Sequence, residues 1–103
     1  MNKSNGNYIY DYEPDNYSNQ AICIFKTSRK EQVKIKIDDT KPVELLIQFY
    51  FKIIRKPLLF GNDRIQFYIN GELVPHKSKD TINKFTQGKN DGNIIMVVDE
   101  NYK

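Results

Sequence analysis

The sequence predicts an α+β domain in which one helix lies across one face of a mixed β-sheet, in the order ββαββ, a short turn, then β. Three observations lead there. Asn70-Gly71 separates two apolar runs, and Asn-Gly suits a tight hairpin because a type I′ turn needs φ > 0 at both central residues. One amphipathic helical pattern stands mid-chain, with strand-like runs on either side. At 103 residues the chain holds one domain and a single small core, so the helix must pack on the sheet.

Residues 1–20 are polar and rich in Asn and Tyr, with Asp11, Glu13 and Asp15 around Pro14. Their low apolar content reads as a disordered tail. The other reading is a docking peptide anchored by Tyr8, Ile9, Tyr10, Tyr12 and Tyr17. The domain itself is expected over residues 21–98, with a short polar tail at 99–103. Ala21-Ile22-Cys23-Ile24-Phe25 is apolar at every position, as a central strand should be. Thr27-Ser28-Arg29-Lys30 is the turn into a second strand, where Val33, Ile35 and Ile37 alternate with Lys34 and Lys36. Lysines so placed suit an edge strand guarding itself against stray pairing.

The helix is expected from about Pro42 to Arg55, started by Asp38-Asp39-Thr40 and stopped by Pro57. Val43, Leu46, Ile47, Tyr50 and Ile54 form one apolar stripe. Leu45 lies roughly opposite that stripe, and Phe49 and Ile53 flank it. This surplus is covered either by Leu58, Leu59 and Phe60 or by a partner. Ile65, Phe67 and Ile69 alternate with Gln66, Tyr68 and Asn70 in the third strand. Glu72-Leu73-Val74 is a short edge strand that Pro75 ends, and Ile82 and Phe85 pin a short helical turn. Asp91-Gly92 turns the chain into Ile94–Val98, a second central strand beside the first.

Charge and chemistry narrow the function. The net charge is +3, and basic residues interleave with acidic ones, which argues against a dedicated nucleic-acid binder. No apolar run approaches the length of a membrane span, and the start has neither a secretory core nor a glycine for myristoylation. Cys23 is the one cysteine and reads as a buried small hydrophobe; His76, the one histidine, reads as a solvated loop residue close to Lys77 and Lys79. One Cys and one His make no metal site, and no glycine motif cradles a phosphate. No enzyme activity, cofactor or metal is expected, and a cytoplasmic setting is.

Order and spacing over residues 21–98 resemble ubiquitin-like (β-grasp) domains. A more specific run is Phe67-Tyr68-Ile69-Asn70, then Leu73-Val74-Pro75, then Phe85, then Asp91-Gly92, at ungapped intervals. With Leu46-Ile47-Gln48-Phe49 of the helix, it resembles the autophagy-related ubiquitin-like modifier number twelve. Members of that family usually end in a glycine joined covalently to autophagy protein five. This chain ends Asn101-Tyr102-Lys103, and Leu73 stands where the family has phenylalanine.

The resemblance therefore implies a glycine-less variant that holds autophagy protein five non-covalently and promotes lipidation of autophagy protein eight. Such a protein reaches autophagosomal or plastid membranes only through its partners. Without a tether, apolar side chains must supply the affinity. The candidates are Leu45 and Phe49 on the helix and Tyr68 on the third strand. By the resemblance, Asn70 and Gly71 lie near autophagy protein five, and Leu73 and Lys34 recruit the conjugating enzyme for autophagy protein eight. The alternative is a generic ubiquitin- or SUMO-like module that binds acidic, apolar peptides along Val33–Ile37 by strand addition.

Overall fold

The structure is a computed structural model and describes residues 8–13 and 19–100. Its elements are β1 (Ile9–Asp11), β2 (Gln20–Thr27), β3 (Gln32–Asp38), α1 (Val43–Ile53), a 3₁₀ turn (Pro57–Leu59), β4 (Ile65–Ile69), β5 (Glu72–Val74), α2 (Ile82–Thr86) and β6 (Asn93–Asp99). Among the described residues the strands form one sheet in the order β1-β3-β2-β6-β4-β5. β2 and β6 pair in parallel at its centre, with Ile24 beside Ile94 and Lys26 beside Met96. The expected mixed sheet with one helix across it is what forms.

Two expectations need correcting. Within the span read as a disordered tail, residues 9–11 make a strand; residues 1–7, 14–18 and 101–103 lie outside the described residues. β1 runs parallel to β3, with Ile9, Tyr10 and Asp11 beside Lys34, Ile35 and Lys36. β3 is therefore not an edge strand. The sequence hid this because a three-residue strand carries almost no periodic signal.

Strand alternation sorts the sheet into two faces. Ala21, Cys23 and Phe25, Ile35 and Ile37, Phe67 and Ile69, and Ile95 and Val97 point to the helix side and are buried. α1 lays Val43, Leu46, Ile47, Tyr50 and Phe51 onto them. Phe51 sits two turns beyond Val43 and joins the stripe, whereas Ile54 is only partly buried. Phe25 and Tyr50 stack at 4.3 Å between ring centroids, and Phe67 meets both edge-on.

The helix is capped by backbone, not by the acidic cluster before it. Pro42 takes the N-cap and makes no side-chain cap bond. The amides of Val43 and Glu44 instead donate to the carbonyls of Asp80 and Ser78, at 2.9 and 3.0 Å. Asp38 turns its carboxylate to the Thr40 amide and hydroxyl, which holds its pKa below the usual carboxylate range. At the other end Arg55 adopts φ 64, Lys56 donates to Phe51 O and Arg55 to Lys52 O. That is a Schellman closure, and Pro57 follows it.

The apolar surplus on α1 is largely met from within. Tyr12 lays its ring edge against Phe49 at 5.1 Å, and Leu59 and Phe60 pack on the core. Leu58 does not: it stands 95% exposed.

Candidate functional site

The one thiol and the one imidazole of the chain are both used to build the fold. Cys23 is fully buried, and burial first, with the Asp39 charge second, pushes its thiol up to about 12. At pH 8 roughly one such thiol in ten thousand is ionised, and none is reachable. Iodoacetamide should therefore leave Cys23 unmodified in the native protein and alkylate it fully in 6 M guanidinium, as mass spectrometry would read. Rapid native labelling would show that β2 is not central.

His76 corrects the reading of a solvated loop residue. It is 8% exposed, and its Nδ1 accepts the Gly61 N–H at 2.7 Å. The ring proton is thereby placed on Nε2, which donates to Ile65 O at 2.6 Å. The ring also lies 5.1 Å from Phe67 and 5.6 Å from Phe51. His76 is a brace between the loop that follows the 3₁₀ turn and the start of β4.

The residues expected to meet partners divide into two groups. Leu45 and Phe49 lie on the helix layer and are half-buried, Phe49 beneath Tyr12. They share no surface with the open face of the sheet. On that face Tyr68 of β4 stands between Leu73 of β5 and Met96 of β6, in register. Leu73 is 53% exposed, Met96 42% and Val98 40%, and the half-buried Ile24 and Ile94 continue the patch. Lys34 lies on the same face beyond Ile24, three strand spacings across and two residues along from Tyr68, or about 16 Å. The sheet thus brings Tyr68, Leu73 and Lys34 onto one surface.

Asn70 and Gly71 form the β4–β5 turn, with φ of 49 and 90, as the Asn-Gly pair requires. Asn70 turns its side chain inward. Its Nδ2 donates to Asn93 Oδ1 at 3.0 Å and to Phe85 O at 3.3 Å, while Oδ1 accepts the Ile94 N–H at 3.0 Å. Asn93, fully buried, passes the connection on to Ile22 O and Lys89 O. Asn70 therefore fixes the turn, β6 and α2 to one another. A groove of about 670 Å³ lined by Asn70, Gly71, Phe85, Ile94 and Met96 joins that turn to the open face.

Sequence reasoning missed Met96 and Val98. The signal was there: a central strand that is apolar at every position must turn half its apolar side chains away from the helix. A single helix can cover only the other half.

Among solved structures the chain is similar to a design based on ubiquitin, with a TM-score of 0.58 and 10% identity, covering 78% of this chain and 88% of that one. It is also similar to the ubiquitin-like domain of an Arabidopsis thaliana protein, with a TM-score of 0.61 and 17% identity over 86% and 87% of the two chains. A third, described as a molecular mimic of SUMO that promotes DNA repair, gives 0.59 and 17% over 84% and 99%. No protein-family model matches the chain, and no curated protein does. The fold is thus the ubiquitin-like β-grasp, extended at one edge by β1. Among the described residues no helix is long and apolar enough to cross a membrane.

Proposed function

We propose that the chain is a non-catalytic protein-interaction module that holds a partner against the open face of its sheet. One observation carries this reading: Leu73, Met96 and Val98 stand exposed around Tyr68 on a rigid, hydrogen-bonded surface. Apolar side chains gathered in this way favour a protein partner, which gains by burying them.

The partner we propose is autophagy protein five, held without covalent attachment, in a complex that promotes lipidation of autophagy protein eight. The support is the spacing of Phe67-Tyr68-Ile69-Asn70, Leu73-Val74-Pro75, Phe85 and Asp91-Gly92. The Asn70 bonds tie two of those segments, the β4 end and Phe85, to the start of β6 that follows Asp91-Gly92. In this reading Tyr68 and Met96 contact autophagy protein five, Asn70 and Gly71 shape the neighbouring turn, and Leu73 and Lys34 face the conjugating enzyme. The working place is the cytoplasm, with membranes reached through the partners.

Co-expression with autophagy protein five from the same organism tests it. The two should co-elute by size exclusion and show no larger covalent band on a denaturing gel. Met96→Glu should weaken the complex about tenfold or more, whereas Leu45→Ala on the other layer should change it less than about twofold. Failure to co-elute removes this partner. An undiminished complex with Met96→Glu removes the face.

A further inference from the structure

We propose that the cavity between the last turn of α1 and the β2–β3 turn binds a small, neutral, aromatic molecule whose carbonyl oxygen accepts a hydrogen bond from Tyr50. The cavity lies on the helix side of the sheet, away from the Met96 face, and stands independently of the function proposed above.

The strands that bound it run out together. Thr27, the last residue of β2, pairs with Val97 of β6, and Ile65, the first of β4, pairs with Asp99, the last of β6. α1 stops at Ile53, and the closure at Arg55 turns the chain aside into the 3₁₀ turn. What remains between sheet and helix end is about 370 Å³, within the range of small-molecule sites. Most of its lining is apolar. Phe25, Tyr50 and Phe51 supply rings, and Ile54 and Leu59 stand partly buried beside them. Ring walls favour a flat, aromatic occupant.

Tyr50 gives the site its polar point. It is 3% exposed, yet among the described residues no protein group bonds its hydroxyl. A buried tyrosine hydroxyl ordinarily has a partner, and leaving it without one is costly. This hydroxyl is not sealed in, as the unpartnered Thr86 Oγ1 is, and so it meets the cavity. Burial first, with the Glu31 charge second, pushes the phenol up to about 12. It therefore keeps its proton at neutral pH and donates, which calls for an acceptor on the ligand.

The rim calls for a ligand without charge. Arg29 and Lys56 stand there with Glu31 and Asp99, two charges of each sign. The turn that carries Arg29 and Glu31 is fixed in place. Thr27 Oγ1 accepts both of their amides at 3.3 Å, and the Thr27 amide donates to Glu31 O at 3.1 Å. The mouth is thus formed before anything binds.

Fluorescence titration of the full chain with prodan, a neutral naphthyl ketone, tests this. Binding should saturate at one site with a dissociation constant of about 200 µM or tighter, and amide shifts should centre on Val33, Tyr50 and Ile54. Tyr50→Phe removes only the hydroxyl. It should weaken prodan binding about fivefold, while N-phenyl-1-naphthylamine, which has no carbonyl, changes less than about twofold. Because the hydroxyl has no partner in the protein, its loss should leave the thermal midpoint unchanged or raised. Ile54→Trp fills the cavity and should abolish binding of both probes. Absence of saturable binding, equal prodan affinity in Tyr50→Phe, or shifts confined to the Met96 face overturns the proposal. So does a midpoint lowered by Tyr50→Phe, since the hydroxyl would then be bonded within the protein.

Discussion

Phe67→Ala should lower the thermal midpoint by on the order of 20 °C and leave the protein marginally folded at 37 °C. Phe67 is fully buried and touches four rings: Phe25 at 5.9 Å, Tyr50 at 5.8 Å, Phe51 at 5.6 Å and His76 at 5.1 Å. It is the point where both layers and the His76 brace meet. Truncating a buried phenylalanine typically costs about 3–5 kcal/mol, part transfer and part cavity. A domain of this size is stable by about 5–10 kcal/mol, so one side chain removes around half of it. Each kcal/mol shifts the midpoint of a small domain by roughly 4–8 °C. Phe67→Leu fills most of the cavity and should cost only about 1 kcal/mol. Circular dichroism melting of both variants checks this. A drop under about 5 °C for the alanine variant would place the ring outside the core.

What could be read from the sequence was what repeats along it. The strands from Ala21 to Val98 announce themselves by alternation or by unbroken apolar runs, and the helix by its stripe from Val43 to Tyr50. The Asn70-Gly71 turn is local chemistry and is found where expected. The misreadings involve contacts that span long sequence distances. Nothing near Pro42 says that its helix will be capped by carbonyls from residues 78 and 80. Nothing near Ile9 says that Lys34–Lys36 will receive it, and a short polar-flanked segment looks the same whether docked or free. The candidate site was half legible for a related reason. Tyr68 and Leu73 follow from alternation about a recognisable hairpin, but Leu45 and Phe49 were grouped with them because all four are apolar. The sheet lies between the two pairs, and periodicity alone does not tell which layer a surplus residue serves.

His76 shows the same limit most sharply, and its removal is the second large effect expected. Just ahead of Lys77 and Lys79 it looks solvated, yet its neighbours in space are Gly61 and Ile65, fifteen and eleven residues away. His76→Ala strips the Gly61 amide and the Ile65 carbonyl of their partner and opens space beside Phe51, Phe60 and Phe67. Two lost hydrogen bonds at about 1 kcal/mol each, with the buried ring surface, sum to roughly 2–4 kcal/mol. His76→Asn separates the two bonds. Its side-chain oxygen replaces Nδ1 as acceptor for Gly61, but it is too short to reach Ile65, so the loss should be intermediate. Urea midpoints order the three proteins, and amide exchange at Gly61 localises the effect. That amide should exchange much faster in the alanine variant and stay protected in the asparagine one. An alanine variant within about 0.5 kcal/mol of the parent, with Gly61 still protected, would mean that the loop closes without the ring. The hydrogen bonds to both nitrogens would then follow from the fold and not help to hold it.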